Sequence, residues 1–586
     1  MERIWRKSYD PGLTDLDPSE WENDYVSITN PTFQRFGKKA ALCYMDVEIT
    51  FEDLDRYANR FANMLIASGL KKGDVVGINL PNIPEYVISW LGILRAGCAV
   101  SGVSPLLSPE EMVHQLSDCK AKGLVTLDAI FAGRLVKIAD RLPDLKVVAA
   151  ARITGFLPAA KKAVIKVLPY LQKAAALPIA PKKIKDALGK IQLPPTGKVT
   201  PLPGKTVYLI DEVIKGNKFL DALPKVDITP DDIAYVQYTG GTTGLPKGAQ
   251  LSHRNSVADL LIVQRWLAWE GGAGLALSGF PFFHIAGLFF NINCIYLGWT
   301  QVLIPNPRDT DGICKQYDKY KPTALVNVPS LFQLLIANPK FKAIDHSGLE
   351  TCISAASPFP EESQKELEAI VGKGKLLEVY GMTETSPLTV MNPRYGQKKL
   401  GSIGLPILNT DMKLLDPETG EEVGVNTPGE ICVKGPQIMV GYFDKPDETA
   451  KTVDKDGYMH TGDVAVMDDD GFLRIVDRTK DMLIVGGFKV FSRKVEEVLC
   501  QHPAVDMIAI TGEPNPERPG SELVKAFVTI SPSYNYDGDQ KALEASIINL
   551  AKEKLAPYEI PKKVEVRTEL PLTAVGKIDK KQLRKK

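Results

Sequence analysis

A net charge, paired cysteines and an apolar leader are all missing from this chain. Its 586 residues carry 71 Lys and Arg against 71 Asp and Glu. No global field draws a polyanion, and no nucleic-acid partner is expected. The eight cysteines are scattered, with no C-x-x-C pair. They read as reduced thiols of a cytoplasmic protein and not as a metal site. The start, Met1-Glu2-Arg3-Ile4-Trp5-Arg6-Lys7, lacks the apolar core of a secretory signal. Acidic and basic residues are also absent from Leu275 to Ile304, a run long enough to span a bilayer. Gly279, Pro281, His284, Gly287, Asn291, Asn293 and Gly298 interrupt it, so a buried strand–turn–helix–strand fits better.

What is present is globular. Hydrophobic residues make up 44% and charged residues 24%, in a chain long enough for several domains. Thr50-Phe51-Glu52-Asp53 opens a helix with a threonine cap, and Leu54, Tyr57, Ala58, Phe61 and Leu65 keep its spacing to Gly69. Asp74–Leu80 reads as a buried strand, Ile83–Ala96 as a helix and Cys98–Val103 as a strand. Ser108-Pro109-Glu110-Glu111 then caps a further helix before a strand at Gly123–Leu127. Strands alternating with helices predict an α/β fold with a mainly parallel sheet. Residues 151–200 stand apart, with ten basic residues against the single acid Asp186 and apolar side chains between them. Such a basic amphipathic stretch suits either a surface insertion packed on its domain or contact with an anionic membrane surface.

The densest chemistry lies in Tyr238-Thr239-Gly240-Gly241-Thr242-Thr243-Gly244-Leu245-Pro246-Lys247-Gly248-Ala249. A strand is predicted before it and a helix, Ser252–Leu267, after it. Glycines let backbone N–H groups converge on an anion, the threonines add donors and the lysine adds charge, so a nucleotide polyphosphate is the expected ligand. The common P-loop is excluded, because Gly248 and not Ser or Thr follows Lys247. Without further support the stretch would be a flexible surface loop. It resembles the phosphate-binding signature of the adenylate-forming superfamily: acyl-CoA synthetases, adenylation domains of peptide synthetases, and luciferases. That signature usually reads T-S-G-T-T-G-x-P-K-G. Gly240 stands in the serine position, which removes a side-chain donor and keeps the backbone cradle.

Further motifs follow in the order of that superfamily. Pro281-Phe282-Phe283-His284 resembles P-x-x-H, whose histidine borders the acyl pocket and thiol entrance. Ser354-Ala355-Ala356-Ser357-Pro358 resembles a strand end written S-G-G/A-A-P, with methyls and a hydroxyl added beside the adenine and acyl pocket. Tyr380-Gly381-Met382-Thr383-Glu384 resembles Y-G-x-T-E. Tyr380 offers a face for adenine, Thr383 a hydroxyl for the α-phosphate, and Glu384 a hard oxygen ligand for Mg²⁺. Asp463 of Thr461-Gly462-Asp463 and Arg478 of Asp477-Arg478 hold the positions that bind ribose hydroxyls. Lys480 falls at the hinge, and Lys577 of Pro571–Lys577 matches the lysine that enters the site for the first half-reaction.

The resemblance covers about Phe51 to Lys580. It implies a large N-terminal domain, 1–479, of α/β subdomains with a β-barrel-like subdomain, and a small mobile α+β C-terminal domain, 480–586. The implied catalytic residues are Lys577, Glu384, Thr383 and Lys247. ATP is to be held by Thr239–Gly244, Lys247, Ser357, Tyr380, Gly381, Thr383, Asp463 and Arg478, and Mg²⁺ by Glu384. The acyl and thiol pocket is assigned His284, Leu288, Ala355, Ala356 and Met382, with Ile285, Phe289, Phe290, Val326, Val328, Leu331 and Phe332 as either tunnel or plain core. The implied reaction joins a carboxylic acid to coenzyme A through an acyl adenylate, and the sequence most resembles bacterial long-chain fatty acyl-CoA synthetases. A medium- or long-chain fatty acid is expected, and an aromatic or alicyclic acid is the alternative. Amino-acid adenylation is disfavoured because Phe283, His284 and Ile285 stand where such domains place an amine-binding Asp. An inactive lipid-binding protein is disfavoured because Glu384, Asp463, Arg478 and Lys577 are all present.

Overall fold

The structure is a computed structural model. It describes all residues except 1–2, 159, 166, 169–194, 240–244, 487, 519–520, 533, 573–577 and 585–586. Gly240, Gly241, Thr242, Thr243, Gly244, Lys577 and most of the basic insertion therefore lie outside the described residues.

Two large sheets build the N-terminal part. The first runs in the order Gly441–Tyr442, Gly248–Ser252, Ile233–Tyr238, Ala99–Gly102, Val75–Asn79, Gly123–Leu127, Val147–Ala151 and Thr206–Leu209. From Ile233–Tyr238 onward its neighbours pair in parallel. The second has nine strands, with Leu376–Gly381, Thr351–Ser354, Ala324–Asn327, Leu275–Ser278, Thr300–Leu303 and Ala40–Tyr44 parallel at its centre. The α/β expectation holds, and the covering helices form where the sequence signals them. Thr50 caps Phe51–Ala67 through the Asp53 N–H at 3.1 Å. Ser108 and Glu111 cap each other reciprocally at the start of Pro109–Asp118.

The uncharged run resolves into strand Leu275–Ser278, helix Ile285–Leu297 and strand Thr300–Leu303. The helix is buried nearly all round, which explains its lack of a polar face. Among the described residues no helix is long and apolar enough to cross a membrane.

Alternation along the nine-stranded sheet sends side chains to two cores. Ala276, Val326, Ile353 and Leu377 join the main cluster, while Leu277, Leu325, Cys352 and Leu376 join a second one. Leu331 and Phe332 belong to that second core, whereas Phe289, Phe290 and Val326 belong to the first. The residues read together as one possible tunnel thus divide between two cores.

The barrel-like subdomain is an open antiparallel sheet of Asp411–Leu415, Gly429–Lys434, Met459–Met467 and Leu473–Arg478, and no closed barrel forms among the described residues. The C-terminal part is α+β. Strands Val505–Pro514, Glu522–Ile530 and Lys563–Val566 pack with helices Ser492–Leu499 and Gln540–Lys554 around their own core. It meets the open sheet where Lys489 pairs with Asp416 at 3.0 Å and Ser492 donates to Asp477.

The described edge of the basic insertion packs on the domain. Phe156 is buried against Tyr57, with Lys215 Nζ 4.1 Å above its ring. Val164 and Val167 point to solvent.

Candidate active site

The phosphate stretch lies between two strands. Ile233–Tyr238 and Gly248–Ser252 pair antiparallel, with Tyr238 opposite Gly248 and the Thr239 N–H donating to the Lys247 carbonyl at 3.0 Å. The expected helix follows as His253–Leu267, capped by Ser252. A hairpin therefore separates the loop from the helix, because Gly248-Ala249-Gln250-Leu251-Ser252 forms a strand between Ile233–Tyr238 and the edge strand Gly441–Tyr442, where the sequence predicts none. Tyr238 is tied at its hydroxyl to Asp118 at 2.6 Å, and Lys445 holds the other oxygen of Asp118 at 2.6 Å.

Other site residues gather at the carboxyl ends of parallel strands, where open α/β sheets bind ligands. Ala355, Ala356 and Ser357 follow strand Thr351–Ser354, and Phe280–His284 follow Leu275–Ser278. Tyr380 and Gly381 end Leu376–Gly381, and Met382, Thr383 and Glu384 turn immediately after it. Gly381 is required by close approach: a Cβ there would lie 1.8 Å from the Pro387 carbonyl oxygen. Ala356 sits at φ +72°, in the left-handed region that favours glycine.

Two linked groups result. In the first, Asp463 accepts from Tyr380 Oη at 2.7 Å and from Arg478 Nε at 2.9 Å. In the second, Tyr442 Oη donates to Glu384 Oε1 at 2.7 Å, and Lys247 Nζ lies 4.6 Å from the centre of the Tyr442 ring. Lys247 also pairs with Glu448 at 2.8 Å. Glu384 is 5% exposed. Burial lifts its carboxyl above the usual range, while the Tyr442 hydroxyl, Lys247 and Arg478 pull it back. Glu448 is held down to about 2, first by its hydrogen bond from Lys247 and then by Lys451. Lys480 reaches solvent, yet desolvation and then the Arg478 guanidinium lower its ammonium to about 8. Tyr442, Glu448, Asp118 and Gln237 were not singled out in the sequence, since each lies outside the recognised motifs.

His284 caps helix Ile285–Leu297, its Nδ1 accepting from the Ala286 N–H at 3.3 Å. Gln237 Nε2 donates to the Phe283 carbonyl at 2.6 Å, which ties this turn to the strand feeding the phosphate stretch. Beside the turn lies a small apolar cavity of about 40 Å³. Ala286, Phe289, Val326, Ala355, Val379 and Leu388 are among its lining residues. Of the residues assigned to the acyl and thiol pocket, Ala355 lines this cavity. Leu288 is fully buried in the main core, and His284, Ala356 and Met382 are not on the cavity wall.

Two stretches of the chain match known families: AMP-binding enzyme over residues 31–443, and AMP-binding enzyme C-terminal domain over 494–577. The chain belongs to the AMP-binding enzyme family. This AMP-binding enzyme is 37% identical over 564 residues to a long-chain-fatty-acid–CoA ligase of Bacillus subtilis (strain 168), covering 95% of this chain and 93% of that one. It is 36% identical over 591 residues to a protein of the same name from Escherichia coli O6:H1, covering 100% and 98%. In fold it is similar to the crystal structure of the anthranilate CoA ligase AuaEII in complex with anthranoyl-AMP. The TM-score is 0.80 at 25% identity, and 97% and 98% of the two chains are covered. The family places it in the acyl-CoA ligase superfamily, whose AMP-forming members use ATP and CoA.

Proposed function

We propose that this enzyme activates a long-chain fatty acid as its acyl adenylate and transfers the acyl group to coenzyme A, releasing pyrophosphate and then AMP. The observation that carries this reading is the juxtaposition of the Tyr380–Asp463–Arg478 group and the Glu384–Tyr442–Lys247 group with an apolar cavity that Ala355 and Leu388 help to line. The names of the curated relatives support the fatty acid.

In the first step the acid's carboxylate attacks the α-phosphorus of ATP, and pyrophosphate leaves with the electron pair. An anion meets a polyanion, so positioning and charge neutralisation dominate the barrier. Asp463 and Arg478 are assigned the ribose hydroxyls, Tyr380 the adenine, and Thr239–Gly244 with Lys247 the departing phosphates. Ser357, Gly381 and Thr383 are assigned the α-phosphate side. Lys247 must exchange Glu448 for phosphate, so the loop cation is kept paired until substrate arrives. Glu384 is a buried oxygen donor of the kind Mg²⁺ requires, and the ion would supply charge neutralisation there. Lys577 is assigned to bridge carboxylate and phosphate. In the second step the thiol displaces AMP, which requires Lys577 to withdraw by rotation of a C-terminal domain, 480–586, about Lys480.

The alternative acid is aromatic, and the Phe289, Phe290 and Trp269 rings on the cavity wall favour it. A panel of carboxylic acids with ATP, Mg²⁺ and CoA, followed by AMP and pyrophosphate release, decides between the two. Lys577→Ala is expected to abolish adenylate formation and still convert supplied acyl adenylate and CoA to thioester; wild-type adenylation in that variant would refute the assignment. The free cysteines, seven of them buried, support a reducing compartment, the cytoplasm. Peripheral contact of the basic insertion with the inner membrane face is part of the same reading. Deleting 169–190 should then release the protein from anionic vesicles, and undiminished retention would end the idea.

A further inference from the structure

The open sheet brings three metal-binding side chains together that the sequence keeps apart. Glu430 and Cys432 sit two residues apart on Gly429–Lys434 and so share one face of that strand. Ile431 and Val433, which alternate with them, face the main core. His460 of Met459–Met467 pairs directly opposite Cys432. One donor atom from each of the three falls within 4.8 Å of the others. His460 Nδ1 is 3.1 Å from Glu430 Oε2 and 3.5 Å from Cys432 Sγ.

We propose that Glu430, Cys432 and His460 form a binding site for a borderline divalent cation of the Zn²⁺ class, with three protein ligands and a fourth position open to water. Tetrahedral zinc bonds of about 2.0 Å to nitrogen and oxygen and about 2.3 Å to sulfur set the donors roughly 3.3 Å (N···O) and 3.5 Å (S···N) apart. The observed separations of 3.1 and 3.5 Å lie close to these values, and the Glu430 and Cys432 donors lie within 4.8 Å of each other.

The surroundings also suit a cation. The outer ring nitrogen of His460, Nε2, faces Asp454 Oδ2 at 3.9 Å. Ion binding at Nδ1 would replace its 3.1 Å contact with Glu430, and the Asp454 carboxylate behind the ring would then face the Nε2–H. Glu430 is oriented through its second oxygen, which accepts from the Gly462 N–H at 3.0 Å. Lys413, opposite Cys432 on the neighbouring strand, pairs with Asp454 at 3.4 Å. The His460 side chain is 31% exposed, so a cation reaches the cluster from solvent past the imidazole, while Cys432 is buried beneath. On binding, the sulfur–metal bond replaces the S–H bond and the proton passes to solvent. The donor set of one thiolate, one imidazole and one carboxylate discriminates against Mg²⁺, which takes oxygen ligands.

The site is independent of the ligase reading, because its test reads metal binding alone. The full-length protein, stripped with EDTA and dialysed, is titrated with Co²⁺. One equivalent should bind with a thiolate-to-cobalt charge-transfer band in the near ultraviolet. Zn²⁺ should bleach it, and a hundredfold excess of Mg²⁺ should not. Cys432→Ser should remove the band. Asp454→Ala keeps all three ligands and should weaken Co²⁺ binding about tenfold or more. A folded wild-type protein that gives no such band, or a band that persists in Cys432→Ser, overturns the proposal. Should Cys432→Ser fail to fold, unchanged Co²⁺ affinity in Asp454→Ala overturns it as well.

Discussion

Asp463 stands opposite Arg478 on the neighbouring antiparallel strand, and Arg478 Nε donates to Asp463 Oδ1 at 2.9 Å. Tyr380 Oη donates to Oδ2, so each carboxylate oxygen already has one partner and keeps accepting capacity for another. That leaves the carboxylate fixed in place and able to receive a diol. Asp463→Ala is expected to weaken AMP binding roughly ten- to hundredfold, the worth of hydrogen bonds to a charged group. Titration of AMP into the variant checks this, and wild-type affinity would remove Asp463 from the nucleotide site.

Tyr442 is the largest single influence holding Glu384 toward ionisation against its burial. Tyr442→Phe deletes that hydrogen bond, so the carboxyl should titrate higher still. The acid limb of kcat/KM should then move up by roughly half to one pH unit, as loss of about 1 kcal/mol requires. The pH–rate profile at fixed Mg²⁺ reads the shift. An unmoved limb would mean that ionisation of Glu384 does not govern the step.

Motifs made of several residue types at fixed spacing were legible in the sequence. Tyr380, Asp463 and Arg478 were named from three such motifs, and the structure brings them into one hydrogen-bonded group. The α/β order was legible because caps such as Thr50 and Ser108 act locally. Strand pairing at long range was not. Gly248–Ser252 lacks the apolar alternation of a strand and forms one because it is held on both sides, by Ile233–Tyr238 and by Gly441–Tyr442. Tyr442 and Glu448 reach Lys247 across 195 residues or more of chain, and no local pattern marks them. Face assignment along the nine-stranded sheet was equally hidden, so Phe332 and Phe289 looked alike in sequence and lie in different cores.

Ala356 carries a methyl at φ +72°, in the left-handed region that favours glycine. A non-glycine residue there costs roughly 1 to 2 kcal/mol. Ala356→Gly should therefore stabilise the protein by about 1 kcal/mol, after the larger unfolded-state entropy of glycine is subtracted. Ala356→Val should destabilise it by more than that. Denaturant midpoints with unchanged m-values test the pair. A less stable glycine variant would show that the methyl's contacts outweigh the backbone strain.

Asp477 joins the open sheet to the small C-terminal part. It accepts from the Ser492 N–H and from Ser492 Oγ at 3.1 Å, and it is 4% exposed. Burial raises its carboxyl to about 6, with Glu496 adding to the rise, while Lys580 and the Arg478 N–H oppose it. Undocking would return it toward the ordinary value near 3.8. The docked arrangement then binds more protons between those two values. Its stability relative to the undocked one is greatest below about 4 and declines as pH rises to about 6, by up to roughly 3 kcal/mol. A fluorescence pair with one dye on each side of Lys480 should report increasing domain mobility from pH 4.5 to 6.5. Asp477→Asn, which keeps an acceptor for Ser492 and cannot ionise, should flatten that dependence and leave the docked form favoured at neutral pH. Wild-type mobility that ignores pH over this range would show that the carboxyl does not control the junction.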